Sequence, residues 1–92
     1  MAKIFVVSQE SYADVKCFKV SQESYADLLV YVVNQESYAN SDAKWFYVSQ
    51  ESYASTKIFW VKQESYANLK VFFVKQESYA KWNKGHALQN RL

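Results

Sequence analysis

The pentapeptide Gln-Glu-Ser-Tyr-Ala occurs six times along this chain, and its spacing limits the possible folds more than any other feature. The copies span residues 9–13, 22–26, 35–39, 50–54, 63–67 and 76–80, and they begin 13, 13, 15, 13 and 13 residues apart. A fixed period of this kind indicates one small structural unit that is used repeatedly. The one longer step, around residues 41–43, splits the chain into two halves of three repeats and predicts internal pseudo-twofold symmetry.

Each repeat predicts one strand and one loop. The segments between the pentapeptides, such as 58–61 and 71–74, are short, β-branched and aromatic, which favours strands over helices. The pentapeptide mixes helix formers with a serine, so we expect a loop that contains a single 3₁₀ or α turn. The chain has no proline and only one glycine, Gly85. Its turns therefore cannot use the positive-φ corners of tight hairpins.

Parity along the strands separates two faces. One face, exemplified by Leu69 and Val71, is mostly small and aliphatic and suits a narrow interior. The other face carries one aromatic residue in every repeat, and a strand that is apolar on both faces is normally covered on both. We therefore expect this aromatic girdle, together with the bulky variable positions Tyr47, Trp60 and Phe73, to form a subunit interface in a homo-oligomer. The girdle consists of Phe5, Phe18, Tyr31, Phe46, Phe59 and Phe72.

These observations predict an all-β domain over residues 1–80, followed by a basic tail over 81–92. The expected architecture is an antiparallel meander of six strands, closed as a small barrel or paired as two three-stranded sheets. A short β-solenoid is the alternative, although thirteen residues per coil give a perimeter of only about 43 Å and little interior. In the tail, a short helix from about His86 is expected to lay Leu88 and Leu92 across an open end of the body.

The repeated tyrosine suggests a ligand-binding surface. In a meander the loops alternate between the two ends, so three tyrosines would share each rim and could stack on a carbohydrate or peptide ligand. The alternative interpretation is that the loop side chains only satisfy the turn. One rim would carry Tyr12, Tyr38 and Tyr66, and the other Tyr25, Tyr53 and Tyr79.

Catalysis is poorly supported by this composition. His86 is the only histidine and Cys17 the only cysteine, so neither a histidine-assisted nucleophile nor a metal-ligand set is indicated. Six glutamates in identical loops indicate a repeated structural feature, not a differentiated acid and base. We therefore expect no enzyme activity, no metal and no cofactor.

Charge and hydrophobicity limit the partners and the compartment. Residues 1–80 carry eight lysines against nine acids, and the tail adds three basic residues, which is a weak signal for nucleic acid. No apolar run approaches the length of a membrane span. A single cysteine cannot form an internal disulfide, so a cytoplasmic protein is the expectation.

Two segments, 67–74 and 25–33, and the Lys-Trp pair at 81–82 resemble a group of small uncharacterised bacterial proteins with tandem repeats of about thirteen residues. The likeness covers nearly the whole chain, and it implies no activity and no site residues. The sequence therefore favours a structural or protein-interaction module that self-associates. The alternative is a carbohydrate- or peptide-binding module that uses the pentapeptide loops.

Overall fold

The computed structural model describes residues 2–83, 85–86 and 92. Every repeat contributes one short strand to a single sheet, and the start of the tail adds a seventh. The strands are β1 (Ala2–Val6), β2 (Val15–Lys19), β3 (Leu28–Val32), β4 (Lys44–Tyr47), β5 (Thr56–Trp60), β6 (Leu69–Phe73) and β7 (Lys81–Trp82).

Six of these strands form a closed ring in which every pair is parallel. The order around the ring is β4-β1-β5-β2-β6-β3, and a further pairing between β3 and β4 closes it. Strands of the first half of the chain thus alternate with strands of the second half. The chain passes around the barrel twice, and its second passage fills the gaps left by the first.

Each strand is displaced by two residues relative to its neighbour. Phe5 of β1, for example, pairs with Lys57 of β5, which is the repeat equivalent of Lys3. Two residues of about 3.3 Å each, set against a strand separation of about 4.8 Å, tilt the strands by roughly 54°. This is steeper than the roughly 35–45° of most barrels.

The steep tilt explains how such short connections can join parallel strands. Between β1 and β2 the chain crosses over β5, with Val7 N–H donating to the carbonyl of Ile58 (2.9 Å) and Asp14 N–H to that of Lys57 (2.7 Å). The end of one strand and the start of the next therefore lie on either side of neighbouring residues of β5. Residues 8–13 suffice to pass over that strand, whereas parallel connections usually need a dozen residues or more.

Each connection contains the predicted tight turn. Glu-Ser-Tyr forms one 3₁₀ turn in every pentapeptide, from Glu10–Tyr12 to Glu77–Tyr79. The tyrosine N–H donates to the glutamine carbonyl, and the alanine N–H donates to the glutamate carbonyl. The flanking residues stay in extended or other negative-φ conformations, which explains why no glycine is needed at these corners.

The predicted antiparallel meander is wrong, and so are the two alternatives of paired three-stranded sheets and a solenoid. The all-β class and the closed barrel are as expected, but consecutive repeats mostly do not pair with each other. Each connection returns the chain to the same end of the barrel before the next strand begins, so every strand runs in the same direction. A solenoid would stack successive coils, whereas here strands of the two halves interleave in one ring.

The interior is filled by the small aliphatic face, as the parity analysis predicts. Its central layer takes one residue from every strand, and all six are fully buried. One bulky member, Trp45, lies among smaller neighbours, including Cys17 and Val71. The layer comprises Ile4, Cys17, Val30, Trp45, Ile58 and Val71.

The tail begins as a strand, not as a helix. β7 runs antiparallel to the first residues of β3, where Leu28 pairs with Trp82 and Leu29 with Lys81. The described residues contain no α-helix, and most of the helix predicted from His86 falls on residues 87–91, outside the part of the chain that the structure describes. Within that part, no helix is long and apolar enough to cross a membrane.

Candidate binding site at the carboxyl end of the barrel

The carboxyl ends of all six parallel strands meet at one end of the barrel and form a partly open mouth. The last inward-facing residue of each strand lies there, and none of the six is fully buried. We call this set the mouth residues: Val6, Lys19, Val32, Tyr47, Trp60 and Phe73.

Large and small side chains alternate around the mouth. The aromatic residues Tyr47, Trp60 and Phe73 come from β4, β5 and β6, and the smaller or charged residues come from β1, β2 and β3. Because the two halves of the chain interleave, each aromatic residue has a non-aromatic neighbour on both sides. The gaps between the rings are therefore a direct consequence of the winding of the chain.

The aromatic side chains form a connected cluster around Trp45. The ring of Trp45 lies 6.4 Å from that of Trp60 and 6.1 Å from that of Phe73, measured between centroids. Trp60 and Phe73 are 5.9 Å apart, and Tyr47 meets Trp45 edge to face at 6.4 Å. A cavity of about 480 Å³ lies within and beside this cluster, a size within the range of small-molecule sites. It is lined by Phe18, Lys19, Tyr47, Trp60, Val61 and Phe73.

Two polar groups accompany the aromatic walls. The ammonium group of Lys19 lies 5.5 Å from the centroid of the Phe73 ring, within the range of a cation–π contact. Burial, with a smaller contribution from Cys17, raises the pKa of Tyr47 to about 12, so its phenol keeps its proton at neutral pH. The mouth thus offers hydrogen-bond donors on a largely apolar surface.

The opposite end of the barrel is closed by the chain itself. Leu92 is only 4% exposed and packs into the core. Its backbone N–H donates to the carboxylate of Asp42 (3.2 Å), and the other oxygen of that carboxylate accepts from the indole of Trp82 (3.1 Å). The Ser55 hydroxyl donates to the Leu92 main-chain oxygen at 2.9 Å. Leu92 therefore lies where the sequence places it, whereas Leu88 is outside the described residues.

The six predicted binding tyrosines are exposed, but they do not form two rims. Each ends a 3₁₀ turn on the outer surface, with an exposed fraction between 51% and 61%. Because all strands are parallel, all connections run in the same direction, and the division between two ends is wrong. The tyrosines form one set around the outside of the barrel: Tyr12, Tyr25, Tyr38, Tyr53, Tyr66 and Tyr79.

The predicted aromatic girdle does lie on the outer face, and all six of its members are half-buried. Part of the cover comes from the chain's own connections. Val20 and Ala26, at the two ends of the connection from β2 to β3, pack against Phe72 and Phe18. Use of the girdle as a subunit interface stays a prediction. Tyr47, Trp60 and Phe73, which were grouped with it, lie instead on the inner face at the mouth.

In four repeats the residue after the pentapeptide has a role that was not predicted from the sequence. Asp14 forms two hydrogen bonds with β5, the strand that its connection crosses. Its backbone N–H donates to the carbonyl of Lys57, and its carboxylate accepts from the N–H of Lys57. The same pair of bonds recurs between Asp27 and Lys70, Ser55 and Lys3, and Asn68 and Lys16. A small polar residue follows the pentapeptide in most repeats, and this pattern could have indicated the role from the sequence.

Five of the six loop glutamates form ion pairs with lysines near the starts of strands. Glu10, Glu51 and Glu64 each pair with the lysine of the strand that their own connection enters. Glu36 and Glu77 pair instead with Lys3 of β1 and Lys44 of β4. Each of these strands lies two places around the ring from the strand that the connection leaves, which is β3 for Glu36 and β6 for Glu77. The sixth equivalent lysine position holds Leu29, which is buried next to β7.

The nucleophilic and acid–base candidates are held in structural positions. Cys17 is a fully buried free thiol, and burial raises its pKa to about 12. His86 stacks on Trp82 and bonds through Nε2 to the carbonyl of Asn68 (2.9 Å). Neither residue lines the cavity at the mouth, although Cys17 lies beside Trp60 in the sheet.

Comparison with protein families gave a match over most of the chain. A family model described as the 7(1) septoil knot domain matches residues 1–83. The match supports the resemblance to small repeat proteins, and the bacterial source of the resembling group stays a prediction. Neither the comparison with curated proteins nor the comparison with solved structures gave a match.

Proposed function

This chain belongs to the 7(1) septoil knot domain family, and we propose that it is a non-catalytic interaction module that binds an apolar group in the mouth of its barrel. Support comes from the difference in solvent exposure between the two ends of the barrel. The amino end is closed by Leu92, whereas the carboxyl end leaves Tyr47 38% exposed and Val6 and Val32 each 42% exposed. An apolar surface with aromatic walls loses contact with water when a ligand or side chain enters it, which favours binding.

The rigidity of the mouth also supports this proposal. Its residues stand on strands of one closed sheet, and its floor is the fully buried Trp45. A site on strands is held more firmly than one on loops. A ligand therefore binds without the cost of ordering a mobile segment.

The test uses a neutral aromatic probe, 2-naphthylmethanol, followed by amide chemical shifts in NMR spectra. We expect saturable shifts at the mouth residues. The variant Val32→Trp fills the mouth and should abolish them, whereas Tyr53→Trp adds the same indole on the outer surface and should leave them unchanged. Shifts confined to other surfaces, or undiminished binding to Val32→Trp, would overturn the proposal.

The exposed tyrosines are a second candidate surface. Six equivalent phenol rings, each more than half exposed, favour multivalent contact with a carbohydrate or a peptide. Replacing Tyr12, Tyr53 and Tyr66 with alanine should then abolish capture on a glycan or peptide array without changing the unfolding midpoint. The mouth variant Val32→Trp is the matched control.

Self-association is proposed through the outer aromatic face, where half-buried rings such as Phe5 and Phe46 remain accessible. Sedimentation at low micromolar concentration tests it: a dimer or larger assembly supports this interface, and a monomer removes it. A cytoplasmic location is proposed on the buried free thiol of Cys17, which suits a reducing compartment.

A further inference from the structure

We propose that the group bound in the mouth is an aromatic monocarboxylate, with its ring against Trp60 and Phe73 and its carboxylate on Lys19. This inference rests on the proposed function of the mouth and adds the charge of the ligand. The observation that supports it is the position of Lys19.

Lys19 differs from the lysines near the starts of strands. Lys3, Lys16, Lys44, Lys57 and Lys70 each pair with a loop glutamate at 2.7–3.4 Å. Lys19 lies at the other end of its strand, and among the described residues its ammonium group meets the Phe73 ring and no carboxylate. It is also the single charged residue among the six mouth residues. Its positive charge is thus available to a ligand.

The lining of the cavity selects the sign of that ligand. It contains a lysine and a tyrosine but no aspartate or glutamate. An ammonium group only donates hydrogen bonds, and a protonated phenol donates one, whereas a carboxylate only accepts them. One positive charge matches a monocarboxylate, since a phosphate group carries more negative charge than one lysine compensates.

The walls select the shape of the ligand. Trp60 and Phe73 are tilted by 55° to each other with centroids 5.9 Å apart, and both rings border the cavity. A flat ring can stack on one of these side chains and meet the edge of the other. Lys19, which comes from the strand between theirs, lines the same cavity beside the two rings.

The same lysine argues against a second copy of the chain at this site. An isologous contact through the mouth would bring two Lys19 ammonium groups together in an apolar interface. The mouth residues supply no carboxylate to neutralise them. Like charges of this kind destabilise an interface. The charge therefore favours an anionic ligand over self-association at the mouth.

Two sources share this chemistry, a free aromatic acid and the carboxyl terminus of a peptide that ends in an aromatic residue. The probes separate the effect of charge from that of the ring. They are 2-naphthoate, 2-naphthylmethanol and 2-naphthylmethylammonium, with the tripeptide Gly-Gly-Phe as free acid and as amide. Dissociation constants come from NMR titration at low ionic strength, because salt screens an exposed charge.

We expect 2-naphthoate to bind about tenfold more tightly than the alcohol, as a charge-assisted hydrogen bond allows, and the ammonium probe to bind more weakly than either. Lys19→Met should remove the preference for the acid while leaving alcohol binding in place. Lys19→Arg should retain the preference, and Lys70→Met, which removes an ion-paired lysine near the start of β6 and far from the mouth, should not alter it.

The outcomes distinguish this inference from the function on which it rests. Equal binding of acid and alcohol to the unmodified protein would overturn the inference while the mouth remained a binding site. No binding of any probe would overturn both. Preference for the free Gly-Gly-Phe acid over its amide would identify a peptide terminus as the source, and preference for 2-naphthoate alone would identify a free acid.

Discussion

Asp14 and Lys57 lie 43 positions apart in the sequence, yet two hydrogen bonds join them. The N–H of Asp14 donates to the carbonyl of Lys57 at 2.7 Å, and the N–H of Lys57 donates to the Asp14 carboxylate at 3.1 Å. The first bond joins the backbone of the residue before β2 to β5, and the second joins the side chain of that residue to the same strand. The contact joins the first passage of the chain to the second.

Asp14→Ala should lower the free energy of unfolding by about 1 kcal/mol, because the N–H of Lys57 loses its acceptor. Asn40→Ala is the matched control, since Asn40 follows the pentapeptide in the one connection between strands that are adjacent in the ring. We expect the control to change stability by only a few tenths of a kcal/mol. Equal losses in equilibrium urea unfolding would contradict a specific role for this contact.

Leu29→Lys should destabilise the protein although the equivalent residue in every other repeat is a lysine. Leu29 is 1% exposed and packs with Val20 and Ala26 beside β7. An ammonium group there would lose its water and displace apolar contacts, at a cost of about 2 kcal/mol or more. The reverse exchange, Lys70→Leu, removes only a surface ion pair and should cost less than about 1 kcal/mol. A Leu29→Lys variant as stable as the unmodified protein would show that β7 does not cover this position.

Leu92→Ala should show that the amino end is closed by the tail. Loss of a buried leucine side chain is expected to cost about 2–3 kcal/mol. Val6→Ala, which shortens a half-exposed residue at the mouth, should cost less than about 1 kcal/mol. Chemical denaturation measures both, and a cost for Leu92→Ala no greater than for Val6→Ala would refute the closure.

The buried thiol predicts a loss of stability at high pH. The pKa of Cys17 is about 12 in the folded state against an ordinary value of 9.0. Above about pH 9 the unfolded chain releases this proton first, so the free energy of unfolding falls with rising pH until the folded thiol also ionises near pH 12. Below pH 9 both states hold the proton and the term vanishes.

Cys17→Val isolates this effect, because valine occupies the equivalent positions at Val30 and Val71. The difference in unfolding free energy between the two proteins should be constant up to pH 9 and should then shift in favour of the variant. A difference that stays constant to pH 11 would contradict the burial of the thiol.

The sequence was sufficient to predict the strands, the turns and the interior face. Parity around Leu69 and Val71 identified the core, and the Glu-Ser-Tyr segment was correctly expected to form a tight turn. Strand direction was not predictable in the same way, because an apolar strand has the same pattern whether its neighbours run parallel or antiparallel. The lack of glycine and proline at the corners already argued against hairpins. The two-residue stagger permits connections as short as the one formed by residues 8–13. This stagger depends on pairing between distant repeats, which the local pattern does not show.

The site was predictable only in part, for the same reason. Tyr47, Trp60 and Phe73 stood out as bulky, but their alternation with Val6, Lys19 and Val32 arises from the interleaving of the two halves. The longer step at residues 41–43 marks where this interleaving begins. There the chain moves to the adjacent position in the ring instead of crossing a strand. β4 therefore takes the place between β3 and β1, whereas a further step of two places would have led to the position that β1 already occupies.

The most direct test of the interleaved barrel is a solution NMR measurement of couplings across its hydrogen bonds. The structure predicts a coupling from the Val7 amide to the Ile58 carbonyl and another from the Asp14 amide to the Lys57 carbonyl. Nuclear Overhauser contacts should join β1 to β4 and β5 in parallel register. Couplings or contacts that instead pair β1 directly with β2 would contradict the closed ring and, with it, the mouth.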